Sequence, residues 1–245
     1  MCTVTFIPSS EGFYFTSSRD EKASRATAPP VKYNHNGVEL IYPKDDLAGG
    51  TWIASSLTGR TACLLNGAFV NHQKRTDYVK SRGIILLESF NFQNTNEFSD
   101  KIDLINVEPF TLVTLNYSSG KLDEFFEFRW DGANKHLKQL NHDACQIWSS
   151  ATLYNPSIQL TRQQLFKQWV NKHDDFEDRM ILDFHNRKHG LKISDDILMK
   201  GEGDLMTLSI SQLHVGGTDS HFNYFDIINN KEHKFKLTNK EFVNA

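Results

Sequence analysis

The most constraining feature of the sequence is an alternation of apolar and polar residues on both sides of a short turn near its start. The alternating stretches are residues 2–8 and 13–20, and Ser9, Ser10, Glu11 and Gly12 lie between them. Alternation with a period of two is typical of a strand with one buried face, so the pattern predicts a β-hairpin with a four-residue loop. Such a hairpin needs further strands beside it and a second layer to cover its apolar face.

Beyond the hairpin, groups of strands alternate with groups of helices. The strand-like stretches are residues 38–42, 51–55, 61–66, 110–117, 122–130, 136–140, 144–150, 205–215, 221–229 and 234–237. The four stretches between 110 and 150 are separated by turn signals and predict a meander. Helices are predicted at 76–90, capped by Thr76, in a shorter segment that Ser99 opens, and over 161–189 as one long helix or a helical pair. Residues 22–37, which contain Pro29 and Pro30, are expected to form a loop.

This order predicts one α+β domain over residues 1–245. Two antiparallel sheets packed face to face, with helices outside, would bury the strand faces and the helical stripes together. A single sheet with helices on one side is the alternative. An apolar fraction of 39% and 18 phenylalanines are enough to fill such a core.

Charge and cysteine content exclude several functional classes. The net charge is −3 and no stretch is strongly basic, which argues against a nucleic-acid partner. The longest apolar run, residues 84–87, is too short to span a bilayer, and the start of the chain lacks a signal-peptide pattern. Three cysteines do not form a disulfide framework, and Cys63 and Cys145 are expected to be buried apolar residues. We therefore predict a cytoplasmic protein.

Cys2 is the candidate nucleophile. In the predicted hairpin, facing residues have numbers that sum to about 21, so Cys2 lies opposite Arg19, or opposite Asp20 if the register slips by one. A guanidinium lowers the pKa of a nearby thiol, and removal of Met1 would leave an α-amine on Cys2 that can act as a base. Asp20 could hold that amine. The alternative is a solvated ion pair beside an ordinary cysteine.

Several motifs together resemble the NRDE family, also called the transport and Golgi organisation protein 2 family. They are M-C-T-V-T-F at 1–6, S-R-D-E at 18–21, G-G-T-W at 49–52, G-R-T-A-C-L-L-N at 59–66, S-R-G at 81–83 and W-S-S-A-T-L-Y at 148–154. The resemblance implies an N-terminal-nucleophile hydrolase-like fold, a four-layer αββα sandwich. It also implies a more distant likeness to the penicillin acylase and bile-salt hydrolase group, whose nucleophilic cysteine becomes the N-terminus.

The resemblance also implies roles for four residues. Cys2 would be nucleophile and base, Arg19 the thiolate stabiliser, Asp20 the partner of the amine, and Asn66 a donor to the oxyanion.

The sequence departs from the family pattern at three places. Ser18 replaces the asparagine of the family motif, Ser150 stands where a second functional asparagine is expected, and residues 216–219 lack the late arginine of the acylases. Ser149, Ser150 and Asp219 are therefore candidates for the substrate pocket.

No metal and no cofactor are predicted. His185 and His189 lie four residues apart on a probable helix, but no third ligand is evident, and we interpret them as a solvated helix face. His214 and His221 flank a glycine pair and either line a pocket or belong to a polar strand end. The glycines match no phosphate-binding loop.

The resulting hypothesis is a hydrolase that cleaves a carbon–nitrogen amide bond of a small molecule through an acyl-enzyme on Cys2. The alternative is a binding or carrier protein that retains the architecture without turnover. For that alternative, the family resemblance implies a role in secretory organisation, with haem or a lipid-like molecule as the ligand.

Overall fold

The computed structural model describes residues 3–200, 204–217 and 219–237. The strands of this part of the chain are β1 Thr3–Ser9, β2 Gly12–Lys22, β3 Thr27–His35, β4 Val38–Asp45, β5 Ile53–Ser56, β6 Arg60–Asn66, β7 Phe110–Ser118, β8 Lys121–Trp130, β9 Lys135–Gln139, β10 Gln146–Ser149, β11 Leu205–Gly216, β12 His221–Asp226 and β13 Lys231–Lys236. The helices are α1 Arg82–Glu88, continued by a 3-10 turn at Ser89–Asn91, α2 Thr95–Lys101, α3 Pro156–Val170 and α4 Asp178–His185.

The strands form two antiparallel sheets. Sheet A has the order β10-β1-β2-β11-β12-β13, and sheet B contains β3 to β9 in chain order. Sheet B is therefore continuous in sequence, whereas sheet A combines the two ends of the chain. The predicted meander is correct for β7, β8 and β9, but β10 leaves it and pairs with β1 through Val4 and Trp148.

The first hairpin has the predicted register. The two residue numbers in every described pair, from Thr3 and Ser18 to Ser9 and Gly12, add up to 21. The loop contains two residues, Ser10 and Glu11, instead of four, because both strands continue further toward the turn. Val4 and Phe15 consequently face sheet B, and the alternate positions face the helices.

Three apolar cores separate four layers. The core between the sheets includes Phe6, Phe15, Ile53, Cys63, Val113, Leu213 and Phe222. A second core, with Leu86, Phe98 and Phe128, lies between sheet B and the α1–α2 segment, and a third, with Ile7, Phe166 and Phe184, lies between sheet A and α3 and α4. Each large apolar side chain in these cores contributes roughly 1.5 to 3 kcal/mol. The two-sheet αββα architecture is confirmed, and the single-sheet alternative is wrong.

The segment predicted as a loop at 22–37 contains an edge strand, β3. Its two prolines fall at the irregularity between Ala28 and Val31, where they need not donate to the neighbouring strand. An edge strand with a bulge tolerates prolines, so their presence did not exclude a strand.

The helices differ from the prediction mainly at their starts. Helix α1 begins after Ser81 and not at Thr76, because Lys80 is still extended and bridges to Val107. Helix α2 begins at Thr95, capped by the Asn94 side chain, which accepts from the backbone N–H of Glu97. Residues 161–189 form part of a helical pair, since α3 and α4 are separate helices. Within the described ranges, no helix combines the length and apolar character needed to cross a membrane.

Candidate functional site

Arg19 is buried between the two sheets. It lies on the face of β2 that also carries Phe15, and its guanidinium stacks on the Trp52 ring at 4.5 Å from the centroid. Its Nη2 donates to Asp45 Oδ2 at 2.9 Å. Its Nη1 is buried and has no hydrogen-bond partner among the residues that the structure describes. A buried donor of this kind is costly unless a ligand or a neighbouring group accepts from it.

Asp45, at the end of β4, fixes the orientation of Arg19. Its Oδ2 also lies 2.8 Å from Arg25 Nε, and its Oδ1 accepts from the backbone N–H groups of Leu47 and Ala48 at 3.2 and 2.9 Å. Burial raises the pKa of Asp45, but the Ala48 N–H and the two guanidiniums lower it further than burial raises it. Asp45 is therefore a carboxylate at neutral pH and holds Arg19 in one place.

Arg19 forms part of the wall of a cavity of about 190 Å³. The other walls include Trp52, Asn66 and Ser81, and both Trp52 Nε1 and Ser81 Oγ are buried without a partner in the described ranges. Three residues that each carry an unpaired donor group thus line one small space. Acceptor oxygens, such as those of a carbonyl or carboxylate, would satisfy them.

An outer cleft of about 630 Å³ adjoins this inner cavity. The two share Glu21, Arg25 and Lys74 as lining residues. Pockets for drug-sized ligands usually measure about 300 to 1,000 Å³, so the inner cavity is too small for a whole ligand of that size. The pair of spaces can hold the reacting end of a molecule inside and the remainder in the cleft.

Two glycines form the wall where the motifs G-G-T-W and S-R-G meet. A Cβ atom on Gly50 would lie 2.5 Å from the backbone carbon of Gly83, and a Cβ atom on Gly83 would lie 2.7 Å from Thr51 O. The loop before β5 and the start of α1 therefore cross with their backbones in contact. The sequence shows both motifs but not that they touch.

Asn66 and Ser150 lie next to each other. Asn66 ends β6, and its side chain lines the inner cavity together with Arg19. Ser150 is fully buried, and its Oγ donates to Asn66 O at 2.9 Å and lies 3.0 Å from Thr152 Oγ1. Ser150 is not among the residues that line the inner cavity. Its hydroxyl instead holds the backbone of Asn66 in position.

Asp20 lies on the opposite face of β2 from Arg19, as adjacent residues on a strand do. Its Oδ1 accepts from Thr207 Oγ1 at 2.6 Å, and Tyr154 Oη donates to its Oδ2 at 3.4 Å. Asp20 is 3% exposed, so its carboxylate is available to buried groups only. The side chains of Arg19 and Asp20 therefore lie on opposite faces of the same strand.

Arg162 on α3 is a buried cation that sequence reasoning missed. It donates to the backbone oxygens of Asp195 and Asp196 at 2.9 and 2.7 Å, to Ser149 Oγ at 3.0 Å, and to Thr3 Oγ1. These bonds tie the first described residue of β1 to the helix layer. One arginine in a helical stripe carries no signal for such a contact, because its partners come from distant segments.

Two further sequence candidates are Cys2 and Asp219. Cys2 is outside the described residues, although its neighbour Thr3 pairs with Ser18. Asp219 follows Gly216, which pairs with Gly12, whereas Arg19 pairs with Ser209 near the other end of β11. Seven strand residues separate these positions, roughly 23 Å at about 3.3 Å per residue. Asp219 therefore does not share a site with Arg19.

His185 is not on a solvated helix face. Its ring is fully buried, and its Nε2 and Nδ1 each lie 2.8 Å from a hydroxyl oxygen, those of Thr5 and Ser18. His189 Nε2 instead bonds Phe184 O at 2.9 Å, so the two histidines do not share an ion. The solvated-face interpretation is wrong because α4 packs this side against sheet A.

The described cysteines are not activated. Cys63 is fully buried, as expected, and burial raises the pKa of its thiol to about 12. Burial also raises the pKa of Cys145, which is partly exposed and directly precedes β10. Neither thiol is a reactive nucleophile at neutral pH.

Comparison with known proteins adds a family and a fold. The family model described as Transport and Golgi organisation 2 matches residues 1–212, and no curated protein sequence matches. A penicillin V acylase from Agrobacterium tumefaciens has a TM-score of 0.62 at 10% identity, over 96% of this chain and 86% of that one. A mutant conjugated bile acid hydrolase from Clostridium perfringens has a TM-score of 0.58 at 10% identity, over 96% and 92%. A Caenorhabditis elegans ortholog of N-acylethanolamine-hydrolyzing acid amidase has a TM-score of 0.53 at 12% identity, over 88% and 93%. At these identities the likeness concerns the fold, and it confirms the N-terminal-nucleophile hydrolase-like architecture.

Proposed function

The chain belongs to the Transport and Golgi organisation 2 family, and we propose that it hydrolyses a carbon–nitrogen amide bond of a small molecule with Cys2 as nucleophile. One observation carries this proposal: Arg19 lines a cavity, and its buried Nη1 has no partner in the described ranges. If the hairpin register, in which paired residue numbers sum to 21 from Thr3 onward, continues by one residue, position 2 would lie opposite Arg19. A thiolate beside that guanidinium would accept its free N–H group.

The proposed reaction has four steps. After removal of Met1, the α-amine of Cys2 takes the thiol proton, and the thiolate attacks the amide carbon to form a tetrahedral oxyanion. The side-chain amide of Asn66 donates to that oxyanion, an interaction that contributes about 3 to 4 kcal/mol in other hydrolases. The resulting α-ammonium protonates the leaving amine as the carbon–nitrogen bond breaks. Water then hydrolyses the thioester and regenerates the thiol.

The surroundings supply the remaining roles. Asp45 is a positioning residue, since it holds the Arg19 guanidinium without lying against the reacting atoms in this scheme. Asp20 is proposed to orient the α-amine from the other face of β2. The three similar structures are named as an acylase, a hydrolase and an amidase, which supports amide or acyl chemistry for this chain.

The cavity sizes support a substrate with a small reacting end. The inner space of about 190 Å³ accepts the amide, and the outer cleft of about 630 Å³ accepts the rest of the molecule. The cleft is lined by Lys22, Arg25 and Lys74 and by Glu21 and Asp46, so its excess of one positive charge slightly favours a group with negative charge or acceptor oxygens.

The first test is the reactivity of Cys2. Intact mass should show loss of Met1, and iodoacetamide near pH 7 should alkylate Cys2 at least about tenfold faster than a free cysteine peptide. Arg19→Gln should remove most of this acceleration. Arg75→Gln is the matched control, because Arg75 is exposed and pairs only with neighbours at the surface. Retention of Met1, or a Cys2 no faster than the peptide, contradicts the proposal.

The second test separates turnover from binding. A panel of N-acyl amines and N-acyl amino acids is incubated with the protein, and release of the amine is measured. Cys2→Ala should abolish release but retain binding, and Cys2→Ser should slow release. If the unchanged protein also binds without turnover, the carrier alternative replaces the hydrolase, and a haem titration then tests its ligand.

A further inference from the structure

A second cluster of chemically reactive side chains lies on the outer face of sheet A. It consists of Asp178 at the start of α4, His214 on β11 and His221 on β12. One ligand atom from each residue lies within 4.8 Å of the others. His214 pairs with Tyr14, five residues along β2 from Arg19, which is roughly 17 Å at about 3.3 Å per residue. The cluster is therefore separate from the proposed amide site.

The distances in the cluster are close to those around a metal ion. His221 Nε2 lies 2.8 Å from Asp178 Oδ2, and His214 Nδ1 lies 3.8 Å from Asp178 Oδ1. With bonds of about 2.0 to 2.1 Å, the ligand atoms around tetrahedral zinc are about 3.3 Å apart. The two distances go to different oxygens of Asp178, so binding one ion requires the side chains to adjust within the 4.8 Å that contains the ligand atoms.

Three polar atoms of the cluster lack partners, whereas His221 Nε2 and Asp178 Oδ2 share a hydrogen bond of 2.8 Å. Asp178 Oδ1, His214 Nδ1 and His221 Nδ1 are all buried and make no hydrogen bond within the described ranges. The His221 side chain is 1% exposed. Unpaired buried polar atoms are costly, and an ion bound between Asp178 Oδ1 and His214 Nδ1 would remove that cost for these two atoms, while His221 Nδ1 faces Asp219 instead.

The neighbouring residues hold the ligands in place. Tyr14 stacks on the His214 ring at 4.4 Å and 11°, and Gln212 Nε2 donates to Asp178 O at 3.0 Å. A Cβ atom on residue 216 would lie 2.9 Å from His214 Nε2, so Gly216 leaves room for the ring. His214 is thereby fixed with its Nδ1 toward Asp178, as a preformed ligand requires.

We propose that Asp178, His214 and His221 bind a divalent transition-metal ion of the zinc type. Two imidazoles and one carboxylate are borderline ligands that suit zinc better than calcium or magnesium. The ion would link the first turn of α4 to the β11–β12 edge of sheet A. The sequence predicts no metal here because the three ligands come from separate elements and have no motif spacing.

Asp219 completes the arrangement as a partner of His221. Its Oδ2 lies 3.5 Å from His221 Nδ1, on the side of the ring away from Asp178. With zinc on Nε2, the ring carries its proton on Nδ1 and donates it to Asp219. This carboxylate–histidine–metal relation typically contributes tenfold to 100-fold in metal affinity. Lys234 opposes cation binding, but it supplies one positive charge against the two carboxylates.

The test is a zinc chloride titration by calorimetry, made in the Cys2→Ala background so that the Cys2 thiol cannot bind the metal. We expect one zinc per chain. His214→Ala should weaken binding at least about 100-fold, and Asp219→Asn about tenfold. The matched control is His136→Ala, because His136 pairs with Asp131 at 2.7 Å and belongs to no described three-ligand cluster. It should bind zinc as the background protein does.

Two further measurements keep the result interpretable. Asp219 is 64% exposed, so Asp219→Asn should fold even if His214→Ala does not. Cobalt chloride should give the visible absorption of a four-coordinate site in the background protein and lose it in His214→Ala. Absence of zinc binding, or equal zinc affinity in the background, His214→Ala and Asp219→Asn proteins, overturns the proposal. None of these outcomes depends on hydrolase activity, so the two proposals fail separately.

Discussion

Acidification should destabilise this protein through His185, the last residue of α4. Its imidazole is fully buried between the hydroxyls of Thr5 and Ser18, so it joins the helix layer to sheet A. Burial, followed by the charges of Arg162 and His189, lowers the pKa of His185 from 6.5 to about 3. The folded protein therefore keeps this ring neutral at pH values where the unfolded chain protonates it.

The size of the effect follows from this difference in pKa. Between pH 6.5 and about 3 the unfolded state binds one more proton, so the free energy of unfolding rises with pH and is lost as the pH falls. One pKa unit corresponds to about 1.36 kcal/mol, and because the unfolded histidine is already half protonated at pH 6.5, the loss from pH 6.5 to 4.5 is about 2.3 kcal/mol. Domains of this kind have a total stability of about 5 to 15 kcal/mol, so the change is measurable.

Urea denaturation at several pH values, followed by tryptophan fluorescence in the presence of EDTA, measures this dependence. The unmodified protein should lose about 2.3 kcal/mol more than His185→Gln between pH 6.5 and 4.5, because carboxylate titrations are common to both. His142→Gln is the control, since His142 is exposed and should leave the pH dependence unchanged. Equal losses in the unmodified protein and His185→Gln would refute the assignment of a buried neutral imidazole.

Three further substitutions test the cavity wall and the helix layer. Asp45→Asn removes the carboxylate that holds two guanidiniums, so we expect a loss of roughly 2 to 4 kcal/mol in urea denaturation and slower alkylation of Cys2. Gly83→Ala places a methyl group 2.7 Å from Thr51 O, and the same urea assay should show a loss of roughly 1 to 3 kcal/mol. Arg162→Met leaves buried backbone oxygens without a donor, and calorimetry should show a lower melting temperature. An unchanged stability in any of the three would contradict the contact that it removes.

Local sequence patterns predicted the structure correctly where the residues that contact each other are close in the chain. The register of the first hairpin follows from alternation and turn position, and the helical pair follows from the spacing of apolar residues over 161–189. The two-layer sheet arrangement also follows, because two sheets packed face to face with helices outside bury the apolar strand faces and the helical stripes together.

Local patterns gave wrong predictions where a strand's place in a sheet depends on a segment distant in the sequence. Strand β3 contains two prolines, and only its place at a sheet edge shows why they are tolerated. Strand β10 follows the meander in sequence but joins sheet A, because β1 offers it an unpaired edge. Neither pairing partner can be read from the strand itself.

The candidate site was predictable only in part. Arg19 and Asn66 were identified from motifs, and both line the inner cavity. Asp45 was missed, although it fixes Arg19, because a carboxylate at a strand end carries no signal for a partner 26 residues away. Ser150 was expected in the pocket and instead supports Asn66, a difference that depends on the direction in which one hydroxyl points.

The division of the chain between the two sheets sets an order of events during synthesis. All the strands of sheet B have left the ribosome once Gln139 has emerged, whereas β2 cannot pair with β11 before Leu205. At about 5 to 20 residues per second, the first hairpin waits roughly 10 to 40 s for that neighbour. Throughout this interval one edge of β2 is open to other chains, so expression at low temperature or with chaperones should raise the yield of folded protein.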